Sequence, residues 1–408
     1  MTKLDRLIDR LELKEFQLKA LLDITKAINA NVEQEELLHL YEGIVRKQLG
    51  ITRLMLFQRQ DRWECILSYG TQAKDTDVDV ERVFGSFTDI QGIPTEHAGG
   101  LGSFDVAVPV YHLERPLAFL LIGDIDEDQQ RMSPSVKHLN FIQTLTNLIV
   151  VAMENRRLAK QALQQERDKR ELELAAEMQS MLIPQELPGN AQFEAAAWYQ
   201  PHRQVGGDYY DLFFSEKGEL VVVIADVSGK GMAAALLMSN FQATLRALIQ
   251  YSSDPLHDLV HDLNDKVFRS ARGERFITFF IGIIDTSTGH TRFVNAGHNA
   301  PLLLHRQAIT ELTTGSIALG MMPKLPFLKV GECTIGAGDT LLCYTDGLVE
   351  QENIRQEALD LGPVRKALAE FGGTGAHAVN TAVVTAFEAH RDGQPYLDDI
   401  ALLTCRFR

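Results

Sequence analysis

Cysteine is scarce. Four residues in 408 are cysteine, Cys65, Cys333, Cys343 and Cys405, and none falls in a C-x-x-C pair. That spacing offers neither a structural zinc site nor a disulfide framework, and it fits a reducing, cytoplasmic setting. Long apolar runs are also lacking. LAFLLIG at 117–123 and FITFFIGII at 276–284 are among the most apolar stretches, and both fall well short of the roughly 18 residues of a membrane-spanning helix. The N-terminus is charged rather than signal-like, so the expectation is a soluble chain with no membrane partner. Positive charge is outnumbered, 40 Lys and Arg against 55 Asp and Glu, for a net charge of −15. A nucleic-acid partner requires a basic surface, so none is expected.

A phosphate-cradling P-loop is missing too, although SGKG at 228–231 suggests one. The motif G-x-x-x-x-G-K-[ST] needs glycine where Ile224 stands and a hydroxyl where Gly231 stands. What remains is an apolar strand from Leu220 to Ala225, then Asp226, a flexible turn with Lys230 as a solvated residue, and an alanine-rich helix from near Met232.

With 45% hydrophobic and 23% charged residues, the chain has globular composition and enough length for two cores. Residues 1 to about 48 repeat apolar positions at three and four and read as helix, interrupted by the polar NVEQE. Segments 52–59, 62–70, 104–113 and 116–124 are short, β-rich and bounded by Gly, Pro or Asp, which predicts an antiparallel sheet. A helix then starts near Pro134 and runs toward Pro184. From residue 150 to 182 it spans about 50 Å at roughly 1.5 Å per residue. Val151, Leu158, Leu172 and Leu182 fall near a heptad register broken by Gln165. A solvated connector and a parallel dimer coiled coil both fit, and the coiled coil is the favoured reading, hence a homodimer.

After Pro184 and Pro188 come strands near 193–199, 219–225, 275–285, 291–297, 301–306, 340–344 and 400–407, interleaved with helices near 232–250, 255–271 and 374–391. The pattern is α+β. The expected organisation is two domains, residues 1–150 and 186–408, joined by a helical linker over 151–185.

The second region places acids at strand ends and glycine turns: Asp208 with Asp211, Asp226, Asp346, and the pair Asp398 and Asp399. Taken singly, each is ordinary turn chemistry. As a set, they flank β-rich runs, where carboxylates converge on one edge of a sheet. Clustered carboxylates stay ionised only beside a cation, and an all-oxygen donor set suits Mg²⁺ or Mn²⁺ better than zinc. Two such ions about 3.5–4 Å apart activate a water and hold a phosphoryl group for in-line attack.

The order VGGDYYD, ADVSGKGMAA, FVNAGHNAPLLL, LGM, GDTLLCYTDGLVEQEN and DDIALL resembles the PPM-type metal-dependent serine/threonine phosphatases, in the branch typified by the sporulation phosphatase SpoIIE. The resemblance covers roughly residues 175–408. It implies an α-β-β-α sandwich with two Mn²⁺ or Mg²⁺ ions between the sheets. It also implies catalytic roles for Asp208, Asp226 and Asp346, with Asp226 bridging both ions. The remaining ligands it implies are the Val227 backbone carbonyl, Asp398 and, as the uncertain neighbour, Asp399. Where many members carry a histidine two residues after the bridging acid, this chain has Ser228, which leaves leaving-group protonation to water. Arg203, five residues before Asp208, is a candidate for the substrate phosphate; His298 reads as a satisfied turn histidine.

The N-terminal half resembles a GAF sensory domain, chiefly in LLDITKAINANVEQEELLHLYEGIVRKQLG, ITRLMLF and VAVPVYHLERPLAFLLIGD. That implies a small-molecule pocket or a pocketless dimerisation module, with Cys65 a core residue. ELELAAEMQSMLIPQELP resembles the helix that tethers this phosphatase branch to its regulator. The resulting expectation is a cytoplasmic phosphatase acting on phosphoserine or phosphothreonine of a protein partner, by resemblance a STAS-domain anti-sigma-factor antagonist. A catalytically silent sensor scaffold and a hydrolase of small phosphoesters are the rival readings.

Overall fold

A computed structural model describes residues 3–71, 78–93, 104–112, 114–123, 134–251 and 255–408. Leu113 and Asp124, at the ends of two expected strands, lie outside the described residues. The chain divides into two units, Met1–Glu166 and Arg167–Arg408.

In the first unit, α1 (Lys3–Asn29) stops where Asn31 turns into the left-handed region at φ 54°. Helix α2 (Gln34–Glu42) runs directly into a π-helical turn over Gly43–Gln48, a widening that a three-and-four periodicity does not announce. The expected antiparallel sheet is present, in the order β2-β1-β5-β4-β3. Its strands are β1 (Arg53–Arg59), β2 (Trp63–Tyr69), β3 (Gln91–Gly92), β4 (Val106–His112) and β5 (Arg115–Gly123). Side-chain alternation gives the sheet two apolar faces. Leu54, Leu56, Leu120 and Ile122 pack with Ile24, Tyr41 and Leu145 from the helices. Met55, Phe57, Phe119 and Leu121 pack with Val80 and Phe84 of the short α3 (Val80–Phe84). Helix α4 (Pro134–Ser180) is 47 residues long and contains the division between the units.

The second unit is built on two antiparallel-rich sheets. One runs β13-β10-β9-β8-β7, with β14 paired to β10; the other runs β12-β11-β15-β16-β6. In chain order the elements are β6 (Phe193–Gln200), β7 (Tyr209–Phe214), β8 (Leu220–Val227), α5 (Met232–Tyr251), α6 (Leu256–Ala271), β9 (Ile277–Ile284), β10 (His290–Ala296), β11 (Leu302–His305) and β12 (Ala308–Glu311). There follow β13 (Gly315–Ser316), β14 (Gly331–Thr334), β15 (Thr340–Tyr344), α7 (Asp346–Val349), α8 (Gly362–Phe371), α9 (Ala376–Arg391) and β16 (Ile400–Phe407). Strands β7, β12, β13 and β14 and helices α7 and α8 go beyond the elements the sequence pattern announced. Apart from the ten-residue α8 they are six residues or shorter, and their neighbours rather than their own periodicity hold them.

Three apolar layers define the architecture. Between the sheets lie Tyr210, Leu212, Val222, Ile224, Leu403 and Cys405. Outside the first sheet, Val221, Val223 and Ala225 meet Met238 and Phe241 of α5 and Leu263 of α6. Outside the second, Leu342 and Leu402 meet Leu368 of α8 and Val383 and Phe387 of α9. The order is helices, sheet, sheet, helices. By length and composition alone α5 is apolar enough to cross a bilayer; in this unit it lays Ala234, Met238, Phe241 and Leu245 against the first sheet.

Candidate active site

Strand β8 is apolar on both faces because it is central and covered on both sides. Its alternation decides where Asp226 points. Leu220, Val222 and Ile224 face the inter-sheet core while Val221, Val223, Ala225 and Val227 face the helices, so the even-numbered Asp226 projects from the inter-sheet face. The same parity holds in β7, where Tyr210 and Leu212 point inward and Tyr209 outward. The β7–β8 ladder pairs Tyr209 with Ala225 and Tyr210 with Ile224. Continued by one residue, it sets Asp208 opposite Asp226. Like charges directly opposite are destabilising on a sheet unless a cation or a proton intervenes.

The second sheet supplies the remaining acids. Asp346 follows β15 and opens α7, while Asp398 and Asp399 immediately precede β16, the strand hydrogen-bonded to β15. The two sets are coupled electrostatically. Burial, reinforced by Asp346 and Asp398, pushes the Asp226 carboxyl up to about 7. Burial, reinforced by Asp226, holds Asp208 well above the usual carboxylate range, against a hydrogen bond from Thr345. Asp346 is raised by burial, then by Glu350 and Asp398, and Lys230 opposes the rise.

Backbone geometry lets the carboxylates approach. Asp399 is buried; its Oδ1 accepts the His202 N–H at 2.8 Å and its Oδ2 the Gly207 N–H at 2.6 Å. A Cβ on Gly207 would lie 2.9 Å from the Val227 carbonyl oxygen, so glycine is needed for the β6–β7 loop to close onto that carbonyl. Gly347 is tighter: its Cβ would meet the Asp399 carbonyl oxygen at 2.1 Å.

Two polar atoms beside the acids are orphaned. Asp208 Oδ2 and the Tyr199 hydroxyl are buried with no hydrogen-bond partner, and the Tyr199 hydroxyl is raised by burial, then by Asp399 and Asp208. Buried polar atoms are nearly always paired, so an unpaired one beside these carboxylates fits a site that takes a cation or a water. The donor set fits a hard divalent cation: all-oxygen, repelling, and supplied by four separate chain segments. Among the described residues no three His, Cys, Asp or Glu side chains are gathered closely enough to hold a metal ion as they stand.

Several sequence expectations are corrected. Asp211 does not join the acids. It points to the helix side, where Arg246 of α5 grips it through Nε and Nη2, both at 2.7 Å. Lys230 is an exposed turn residue, as expected, but it is also paired: its Nζ lies 2.7 Å from Asp398 Oδ2 and donates to the Leu397 carbonyl at 2.6 Å. His298 is only half satisfied, with Nδ1 2.8 Å from the Thr278 hydroxyl and Nε2 buried without a partner. The Ser228 hydroxyl accepts the Phe276 N–H at 2.9 Å. Arg203 is exposed and holds no ion pair among the described residues. Cys65 packs on the Phe57 cluster, its thiol pushed up by burial.

The sequence reading missed Gln179. Its amide donates to the Gly206 carbonyl at 2.6 Å and accepts the Gly206 N–H at 3.0 Å. The only sequence signal was a polar residue at a position that proves buried.

With this geometry established, the family described as "Stage II sporulation protein E (SpoIIE)" matches residues 216–408. The C-terminal unit carries a SpoIIE-family domain. Asp226, Asp346, Asp398 and Asp399 lie inside the match, and Asp208 lies eight residues before it. The chain is 28% identical to Protein IcfG of Synechocystis over 57% of its own length and 41% of the relative's. It is 27% identical to "Phosphoserine phosphatase RsbU" of Bacillus subtilis over 46% of its length and 55% of the relative's. The chain thus spans about half the length of the curated relatives it matches. Among solved structures, the SiaA-PP2C domain of Pseudomonas aeruginosa is 18% identical, covers 60% of this chain and 99% of itself, and superposes with a TM-score of 0.53. That last likeness is one of fold.

Proposed function

We propose that the chain is a divalent-metal-dependent protein phosphatase that hydrolyses phosphoserine or phosphothreonine on a signalling partner. The observation that carries this reading is the Asp208–Asp226 pair, opposed across β7–β8 with a buried, unpartnered carboxylate oxygen, inside a unit that carries a SpoIIE-family domain. Asp208, Asp226, the Val227 carbonyl, Asp346 and Asp398 would hold two Mn²⁺ or Mg²⁺ ions. Asp399, with both oxygens on backbone N–H groups, would chiefly anchor the His202–Gly207 loop beside them. When bound, the ions supply Lewis acidity to the phosphoryl group and acidify a water.

The chain's own residues do the rest. The inter-sheet acids orient the site, and the apolar core beneath them limits solvent. Ser228 carries an aliphatic hydroxyl, which does not ionise near neutral pH and offers no general acid, so the leaving group takes its proton from water. Arg203, exposed five residues before Asp208, would meet substrate phosphate. The partner would be a phosphorylated STAS-domain protein, in keeping with a phosphoserine phosphatase among the relatives. The N-terminal unit would be a GAF-like sensory or dimerisation module in the cytoplasm, acting on the site through α4 as a dimeric helix.

The test is Mn²⁺-dependent phosphate release from a serine-phosphorylated protein and from free phosphoserine, by the full chain and by Asp226→Asn. Release that needs metal, favours the phosphoprotein and drops by about 10²-fold or more in the variant is the expected result. No release in any form, with no Mn²⁺ uptake by calorimetry, would overturn it.

A further inference from the structure

We infer that Lys230 is the resident counter-ion of the acid cluster, which a divalent cation must displace from Asp398, so that this ammonium sets how tightly the site holds metal. The inference rests on the metal-site reading above.

Lys230 lies in the turn between β8 and α5, four residues after Asp226. Gly229 and Gly231 flank it at φ 85° and 76°, left-handed conformations that glycine adopts without strain. The turn is held from the side. Arg275 donates Nη1 to the Ser228 carbonyl at 2.6 Å, the Ser228 N–H reaches the Phe276 carbonyl at 2.9 Å, and the Phe276 N–H returns to the Ser228 hydroxyl. All three hydrogen bonds anchor the turn at Ser228, two residues before Lys230. The ammonium ends 2.7 Å from Asp398 Oδ2, with the Leu397 carbonyl as a second acceptor at 2.6 Å.

Among the described residues Lys230 is the one cationic side chain in an ion pair with any of Asp208, Asp226, Asp346, Asp398 and Asp399. The pair is only partly buried, its side chains 46% and 39% exposed. Such a pair is weak enough to exchange. A divalent ion taking an Asp398 oxygen meets this competing positive charge at close range, and the two cannot share the carboxylate without repulsion. A cation that must first displace an internal competitor loses apparent affinity by the fraction of time the competitor is in place.

The experiment is Mn²⁺ calorimetry and thermal melting in EDTA on the full chain, for the unmodified protein, Lys230→Met, Lys230→Arg, Asp398→Asn and the Lys230→Met/Asp398→Asn double variant. Lys230→Met should bind Mn²⁺ about 3- to 30-fold more tightly, and Lys230→Arg should stay near the unmodified protein. Most of the gain should vanish in the Asp398→Asn background. In EDTA, Lys230→Met should melt lower than the unmodified protein, because the acids have lost their counter-ion. An unchanged Mn²⁺ affinity in Lys230→Met would overturn the inference; if KM for a phosphoprotein rose instead, the ammonium would belong to the substrate phosphate. Should the unmodified protein take up no Mn²⁺ at all, the metal-site reading fails, and the EDTA melt alone then decides the counter-ion role: no drop refutes it.

Discussion

Asp208 and Asp211 stand three residues apart and face opposite sides of the same sheet. Asp208 opens toward the inter-sheet acids, and Asp211 is buried under α5 with every oxygen occupied. Arg246 takes it bidentately, the Tyr209 hydroxyl donates at 2.5 Å and the Leu212 N–H at 2.9 Å. The guanidinium also lies over the Phe213 ring at 4.6 Å. Removing it strands a buried carboxylate, so Arg246→Leu should cost about 2–4 kcal/mol of stability in urea titration. Mn²⁺ affinity should stay within about twofold, since the carboxylate concerned faces the wrong side of the sheet to reach the ions.

Gly347 is a steric requirement of the site. An added Cβ would sit 2.1 Å from the Asp399 carbonyl oxygen and 3.2 Å from Asp398 Cβ. These are largely backbone-fixed positions, so the Thr345–Leu348 turn has to move away from the acids. Gly347→Ala should lower stability by about 1–3 kcal/mol and weaken Mn²⁺ binding, both readable in one calorimetric and melting series.

The C-terminal unit begins before its β-sandwich. Gln179 holds Gly206 by two hydrogen bonds, Ile183 packs into the inter-sheet core, and Tyr210 donates to the Pro184 carbonyl. A fragment of residues 167–408 should therefore melt higher than residues 186–408. In the full chain, Gln179→Ala should lose about 1–3 kcal/mol. It should also lower kcat/KM, because the released Gly206 adjoins the Gly207 N–H that holds Asp399.

Burial pushes the His298 imidazole down to about 4 from an ordinary 6.5. As pH falls below 6.5 the unfolded chain takes up a proton that the folded chain refuses until about pH 4. Stability from this group is complete above 6.5 and is lost on acidification through that window. Between pH 6.5 and 5 the unmodified protein should lose about 1.5 kcal/mol that a His298→Gln variant does not. Urea titrations at both pH values check this; parallel slopes would place the proton elsewhere.

Much of the site was legible as positions. Asp226 at the end of an apolar run, the Asp-Gly of Asp346 and the Asp398–Asp399 pair before the last strand all stand out in one dimension, because strand ends and glycine turns leave local signatures. Their separate roles did not stand out. Asp398 and Asp399 are adjacent and chemically identical, yet one carboxylate meets Lys230 and the other two backbone N–H groups. Asp208 and Asp211 could not be told apart until β7 was seen to be a strand, since DYYDLFF reads equally as an acid-rich turn. Neither Gln179 nor Lys230 announced its partner locally, because those partners lie 27 and 168 residues away.

The sequence by itself determined the α+β class, the β8 and β16 cores, the long helix and the set of acids. Apolar periodicity and turn chemistry are properties of contiguous residues. Tertiary structure alone decided which acids face one another, that Lys230 pairs with Asp398 and where the C-terminal unit begins. Those outcomes depend on strand parity, ladder register and the desolvation of charges brought together from distant segments.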